Sequence, residues 1–157
     1  MTSVFLHGLD SSSKGTKATF FKKNFPDMMV PDFVGDLAQR MAMLERLLTG
    51  VSDMILVGSS FGGLMAANFA LQHERRVRKL VLLAPALNFP GFSNYTGRRI
   101  ATPVWLFIGS NDTVTPADLV LPAARRVFTD LHAKTVNDDH QLTATFEKLD
   151  WHALLNG

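Results

Sequence analysis

The sequence predicts an α/β domain: a mainly parallel sheet of about six strands with helices on both faces. Three observations carry this expectation. Short apolar runs rich in β-branched residues alternate with helix-period segments from end to end. Hydrophobic residues make up 46% of the chain and charged residues only 19%, which suits strands covered on both faces. No repeat, low-complexity stretch or Pro/Gly-rich linker divides the 157 residues, so residues 1–157 read as one domain.

Residues 3–7 read as the first strand, 8–13 as a polar loop, and a helix falls within 15–24. A short strand is expected at 28–30. Asp36 is placed to cap the next helix, where Leu37, Met41, Leu44 and Leu48 recur at helical spacing and Gly50 supplies a stop. Residues 54–57 form a fully apolar strand. An amphipathic helix follows at 61–73, with Phe61, Leu64, Met65 and Phe69 turned inward. Residues 80–84 are another buried strand, ended by Pro85, and 88–99 are aromatic and turn-rich without a period. Residues 104–108 read as strand and 109–115 as loop. Thr115-Pro116 resembles a cap followed by proline at the first helical position, with Pro122 expected to kink or split that helix. Residues 131–136 are the last strand, and a closing helix is expected to carry Leu142, Phe146, Leu149 and Ala153 on one face. The loops beginning at Gly8, Gly58, Gly109 and Asn137 all follow strands. They should share the carboxyl edge of the sheet, where such sheets bind ligands.

The composition excludes several classes of function. With no cysteine, disulfides, thiolate–zinc sites and a cysteine nucleophile are ruled out. The formal charge is only +2, and the one dense basic cluster, Arg75, Arg76, Arg78 and Lys79, lies where a helix ends and its dipole favours cations. No nucleic-acid partner is expected. The longest apolar run, residues 80–87, falls far short of the roughly 20 residues of a membrane span. The chain enters a strand at once, with no basic and apolar leader, so the expectation is a cytoplasmic protein.

Gly58-Ser59-Ser60-Phe61-Gly62 matches G-x-S-x-G, and Gly63 follows it. Of the two serines, only Ser60 has glycine at both −2 and +2. Those positions need glycine because a nucleophile on a sharp strand-to-helix turn leaves its flanks no room for side chains. An apolar strand precedes the motif and a helix follows it. A serine nucleophile needs a base, and the base needs an orienting acid. Asp112 follows one later strand and His140 the last one, giving the chain order Ser60, Asp112, His140. Asp138 and Asp139 precede the histidine. They could raise its pKa, or serve as the acid should Asp112 lie elsewhere. The oxyanion donors expected are the backbone N–H groups of Phe61, after the nucleophile, and Leu9, in the loop after the first strand. Gly8 keeps that approach open, and His7 reads as architectural.

On Phe5-Leu6-His7-Gly8, Gly58-Ser-Ser-Phe-Gly-Gly, Gly109-Ser-Asn-Asp and His140, the sequence resembles the α/β-hydrolase superfamily. Its small size is similar to the compact bacterial YqiA-like esterases. The resemblance implies Ser60 as nucleophile, His140 as general base and Asp112 as orienting acid. It also implies a sheet of strand order 2-1-3-4-5-6. Larger relatives insert a cap domain between the fourth and fifth strands, where this chain has only residues 88–99, so a minimal fold without a cap domain is expected.

The function expected is therefore a serine hydrolase, carboxylesterase-like, that cleaves small acyl esters without metal or organic cofactor. Phe89, Phe92 and Tyr95 either wall an apolar acyl pocket or are ordinary packing. Thioesterase or acyltransferase chemistry on the same triad, and a binding protein that keeps only the fold, are the alternatives. A phosphate-binding loop at residues 8–15 fails, since the pattern needs glycine at Ser13 and serine or threonine at Gly15. The partner expected is a small acyl substrate, with the chain a monomer or small homo-oligomer.

Overall fold

In a computed structural model, which describes residues 1–93 and 97–157, five parallel strands pair in chain order. They are β1 (Thr2–Leu6), β2 (Met54–Ser59), β3 (Val77–Leu83), β4 (Val104–Gly109) and β5 (Leu131–Val136). Side chains alternate across the sheet and feed two cores. Val4, Leu6, Leu56, Leu80, Leu82 and Leu106 face one core. It is covered by α2 (Leu37–Leu47), α3 (Phe61–Gln72) and α5 (Ala117–Val127). Phe5, Ile55, Val57, Val81 and Leu83 face the other, under α1 (Thr16–Asn24) and the C-terminal segment. Among the described residues between β3 and β4, the one helix is the short α4 (Pro90–Ser93), and no cap domain is evident there.

The expected sixth strand at 28–30 shrinks to one bridge. Met29 N–H donates to Ser3 O (3.0 Å) and Phe5 N–H donates to Met29 O (2.9 Å), which places Met29 on the outer edge of β1. The next ladder bond would come from residue 31, a proline with no N–H to give. On the other side Met28 N–H closes a turn onto Phe25 O (3.0 Å). The chain thus passes outside β1 and then returns to its inner side as β2. The carboxyl ends of β1 and β2, where Leu6 pairs with Gly58, become the point at which the winding reverses, and a crevice opens there.

Three helical expectations are corrected. α3 is not amphipathic: all its residues from Phe61 to Leu71 are buried, because small Gly62, Gly63, Ala66, Ala67 and Ala70 let the sheet and α2 close around it. α5 is neither capped by the Thr115 side chain nor broken by Pro122. Pro116 occupies the cap position, and Pro122 lies on the exposed face, where the carbonyl four residues earlier that loses its donor belongs to the exposed Asp118. The closing helix does not form as one element. Leu142 adopts φ +53, a tight turn covers Phe146–Lys148, and Asp150 caps a fresh four-residue helix, α6 (Trp151–Leu154), by accepting from Ala153 N–H (3.0 Å). The buried face is Leu142, Phe146, Trp151, Leu154 and Leu155, while Ala153 is exposed. Among the described residues, no helix is long and apolar enough to cross a membrane.

Candidate active site

Ser60 sits between β2 and α3 at φ +55 and ψ −114, a conformation that L-residues avoid. Neighbours force it there. Ser60 N–H donates to Leu83 O (2.9 Å), and Ser60 O accepts from Gly63 and Ala86 N–H (2.9 Å each). The flanking glycines are required by backbone rather than by flexibility. A Cβ on Gly58 would strike the Gly62 carbonyl, and one on Gly62 would strike the Leu6 carbonyl.

Ser60 Oγ lies 3.0 Å from His140 Nε2, and His140 Nδ1 lies 2.7 Å from Asp112 Oδ2. The Asp112 side chain is wholly buried. Its Oδ1 accepts from the N–H groups of Val114 (2.9 Å) and Thr115 (2.8 Å), and Oδ2 accepts from the Thr115 hydroxyl (2.7 Å). Burial pushes the Asp112 carboxyl up, but the bonds from His140 and Thr115 outweigh it and hold the group below the usual carboxylate range. An ionised carboxylate only accepts, so His140 carries its proton on Nδ1 and turns the bare Nε2 toward the serine hydroxyl. That is the tautomer a proton-accepting imidazole needs.

Thr115, read from the sequence as a helix cap, instead joins this cluster. Its hydroxyl is buried within 3.1 Å of His140 Nδ1 and 3.2 Å of Ala84 O, besides its bond to Asp112. The two aspartates before His140 do not bond its ring. Asp138 is buried and accepts from the N–H groups of Asp139 (2.8 Å), Ala144 (3.0 Å) and Thr145 (2.8 Å), so it folds the loop that carries the histidine. Desolvation raises the Asp138 carboxyl, yet bonds from Thr145 and these amides bring it net below its ordinary value. Asp139 faces Thr143. The acid loop and the histidine loop touch through Gly109, where a Cβ would meet the carbonyls of Asp138 and Asp139.

The loop after β1 is pinned by His7, which is 1% exposed. His7 Nε2 accepts from Phe33 N–H (2.9 Å), so Nδ1 holds the proton and donates it to Gly8 O (2.7 Å). The Gly8–Leu9 peptide is planar and trans, so Leu9 N–H points away from the Gly8 carbonyl that His7 holds. Phe61 N–H is the first of α3 and has no intrahelical acceptor. Among the described backbone bonds, neither amide donates to a carbonyl. Gly8 brings this loop against the nucleophile: a Cβ there would lie 3.5 Å from Ser60 Cβ.

A cleft of about 430 Å³ opens over Ser60 and His140, with Gly8, Leu9, Phe61, Phe89 and Lys17 among its walls. Of the three aromatic residues read as acyl-pocket candidates, Phe89 lines the cleft, its ring edge-on to Phe61 at 6.2 Å. Phe92 does not. It is buried in the core and borders a separate hollow of about 380 Å³ that shares Phe89. Tyr95 lies outside the described residues. Sequence reasoning passed over Lys17, whose ammonium donates to Gln141 O (2.6 Å) and ties α1 to the histidine loop. Burial lowers its pKa against the opposing charges of Asp139 and Asp138.

A serine on a strained strand-to-helix turn, bonded through histidine to a buried aspartate at the carboxyl edge of a parallel sheet, defines a hydrolase-type architecture. The chain belongs to the alpha/beta hydrolase fold family, which it matches over residues 6–107. That stretch includes Ser60, Leu9 and Phe61 and stops short of Asp112 and His140. Among solved structures, a protein of Agrobacterium vitis S4 named as a hydrolase superposes with TM-score 0.82 at 19% identity, covering 99% of this chain and 88% of that one. The Butyrivibrio proteoclasticus protein Est1E, solved with ferulic acid, gives 0.78 at 13% identity, with 98% and 88% covered. Identities this low speak to the fold alone. A homoserine O-acetyltransferase of Thermus thermophilus is 42% identical over 71 residues, which are 45% of this chain. The match spans only 17% of that relative's own length.

Proposed function

We propose that the protein is a serine esterase that cleaves small acyl esters through an acyl-enzyme. The observation that carries this reading is the unbroken chain of contacts from Ser60 Oγ through His140 to the ionised Asp112. In the first step Ser60 Oγ attacks the ester carbonyl while His140 Nε2 takes the hydroxyl proton. Asp112 holds the imidazole in the required tautomer and stabilises the imidazolium that forms. The N–H groups of Leu9 and Phe61 receive the oxyanion, and His140 returns its proton to the departing alcohol. Water then attacks the acyl-serine with His140 again as base, which releases the acid and restores the enzyme. With no cap domain among the described residues, the site suits small or exposed acyl groups. The aromatic Phe61 and Phe89 form an apolar wall for them.

A series of nitrophenyl esters of rising acyl length tests the reading. Turnover is expected to peak at short acyl chains, Ser60→Ala to abolish it, and Asp112→Asn to lower kcat by about 10⁴-fold through the wrong histidine tautomer. Turnover retained in Ser60→Ala would refute it. The local likeness to an acetyltransferase supports a second reading, in which an alcohol rather than water accepts the acyl group. Ester exchange that outpaces hydrolysis when a primary alcohol is added would favour that reading.

A further inference from the structure

Arg40 stands in the first turn of α2, at the helix end where the dipole disfavours a cation, and is only 5% exposed. Among the described residues no carboxylate lies within ion-pair distance of it, and Asp10 acts on it only from further away. Its Nε donates to Gly35 O (2.8 Å) and one terminal nitrogen to Leu9 O (3.4 Å), while the other, Nη1, is buried with no partner. The guanidinium lies over the Phe61 ring, 5.4 Å from its centre. Buried arginines are ordinarily compensated by an acid or a full set of acceptors. This one is not, and it packs on Leu9 and Phe61, the two residues whose N–H groups are assigned to the oxyanion.

We propose that Arg40 is a positioning residue of the oxyanion hole, fixing Leu9 and Phe61 from behind and setting an unpaired positive charge there. The inference rests on the esterase reading. Leu9 is then held from both sides, its preceding carbonyl by His7 and its own by Arg40. The guanidinium does not border the cleft, so it makes no contact with the substrate and acts by holding these neighbours and through its charge behind them. Its charge lacks a counter-ion in the resting protein and gains one when the carbonyl oxygen becomes an oxyanion. An interaction stronger in the transition state than in the ground state raises kcat and leaves KM nearly unchanged.

The test compares wild type, Arg40→Met and Arg40→Lys. Each is assayed for fluorophosphonate labelling, for kcat and KM on nitrophenyl acetate, for affinity to a boronic acid that forms an anionic adduct on serine, and for melting temperature. Arg40→Met should melt no lower than wild type and keep KM within about twofold. It should lose about 10–100-fold in kcat, less than the 100–1,000-fold typical of a directly lost donor. Boronate affinity should fall in parallel, and Arg40→Lys should recover part of both losses. If Arg40→Met does not fold, Arg40→Gln replaces it, with the same losses expected. A folded, uncharged variant with wild-type kcat and boronate affinity overturns the inference. So does a loss that tracks melting temperature and is not rescued by lysine. Wild type that neither labels nor turns over the ester refutes the esterase reading itself, a result distinct from these.

Discussion

Among the described residues, Ser60 is one of four non-glycine residues at positive φ, and two of the others, Ala84 and Leu142, also follow strands at the edge that carries the site. Such conformations cost on the order of 1–3 kcal/mol each and persist only where surrounding bonds over-determine them. Here the bonds from Ser60 N–H to Leu83 O and from Ala86 N–H to Ser60 O do so. Glycine adopts the Ser60 conformation without the steric cost that the alanine Cβ carries. Ser60→Gly is therefore expected to be about 1 kcal/mol more stable than Ser60→Ala, measured by denaturant unfolding. Equal stabilities would mean that the turn is unstrained. That Ser60, Asp112 and His140 come together was legible from the sequence, because motif, spacing and chain order all bear on them. Thr115 and Arg40 were not, since both fit ordinary roles locally, one before a helix and one within it. Only the burial of the Thr115 hydroxyl beside Asp112, and of the Arg40 guanidinium beside Leu9, gives them other work. Asp138 is intermediate: its carboxylate was noticed, but its three backbone donors come from residues that no local pattern ties to it.

At the scale of elements, the strands were the most readable part, because an apolar run covered on both faces has few other ways to fold. In the misread elements, local pattern yields to backbone chemistry or to side-chain size. Pro31 removes the donor that a sixth strand needs. At the closing segment, the positive φ of Leu142 ends the helical path and the Asp150 cap begins another, with Trp151 rather than Ala153 filling the core. In α3, alanine and glycine look like a polar-side filler in a helical wheel. They are instead the small residues that let a helix lie flush on the strands around it. That close packing sets the direction of the first α3 amides and hence where Phe61 N–H points.

For the whole molecule, two cores on either face of one sheet leave the carboxyl edge as the place where backbone is free to face a ligand. Acid stability belongs to this scale. Asp32, held by Ser13, Asp53, held by Arg78, and the buried Asp112 and Asp138 all have carboxyls below their ordinary value in the folded chain. A group whose folded pKa is depressed stabilises the fold above its unfolded pKa, about 3.9 for aspartate, and that stability is lost as pH falls through the folded value. Unfolding midpoints in urea should thus stay level down to about pH 4 and fall steeply below it. Asp138→Asn should lower the plateau and make the acid limb shallower. A midpoint that rises below pH 4 would contradict the assignment.

The proposed esterase chemistry requires Ser60 to be an activated nucleophile. A fluorophosphonate probe reacts covalently with such a serine, and mass spectrometry of the digested protein locates the adduct. One adduct is expected on Ser60 in the folded wild type, lost in Ser60→Ala, with strongly slowed labelling when His140 is replaced by glutamine. A folded wild type that does not react, or an adduct on Ser59 that survives Ser60→Ala, would contradict this expectation.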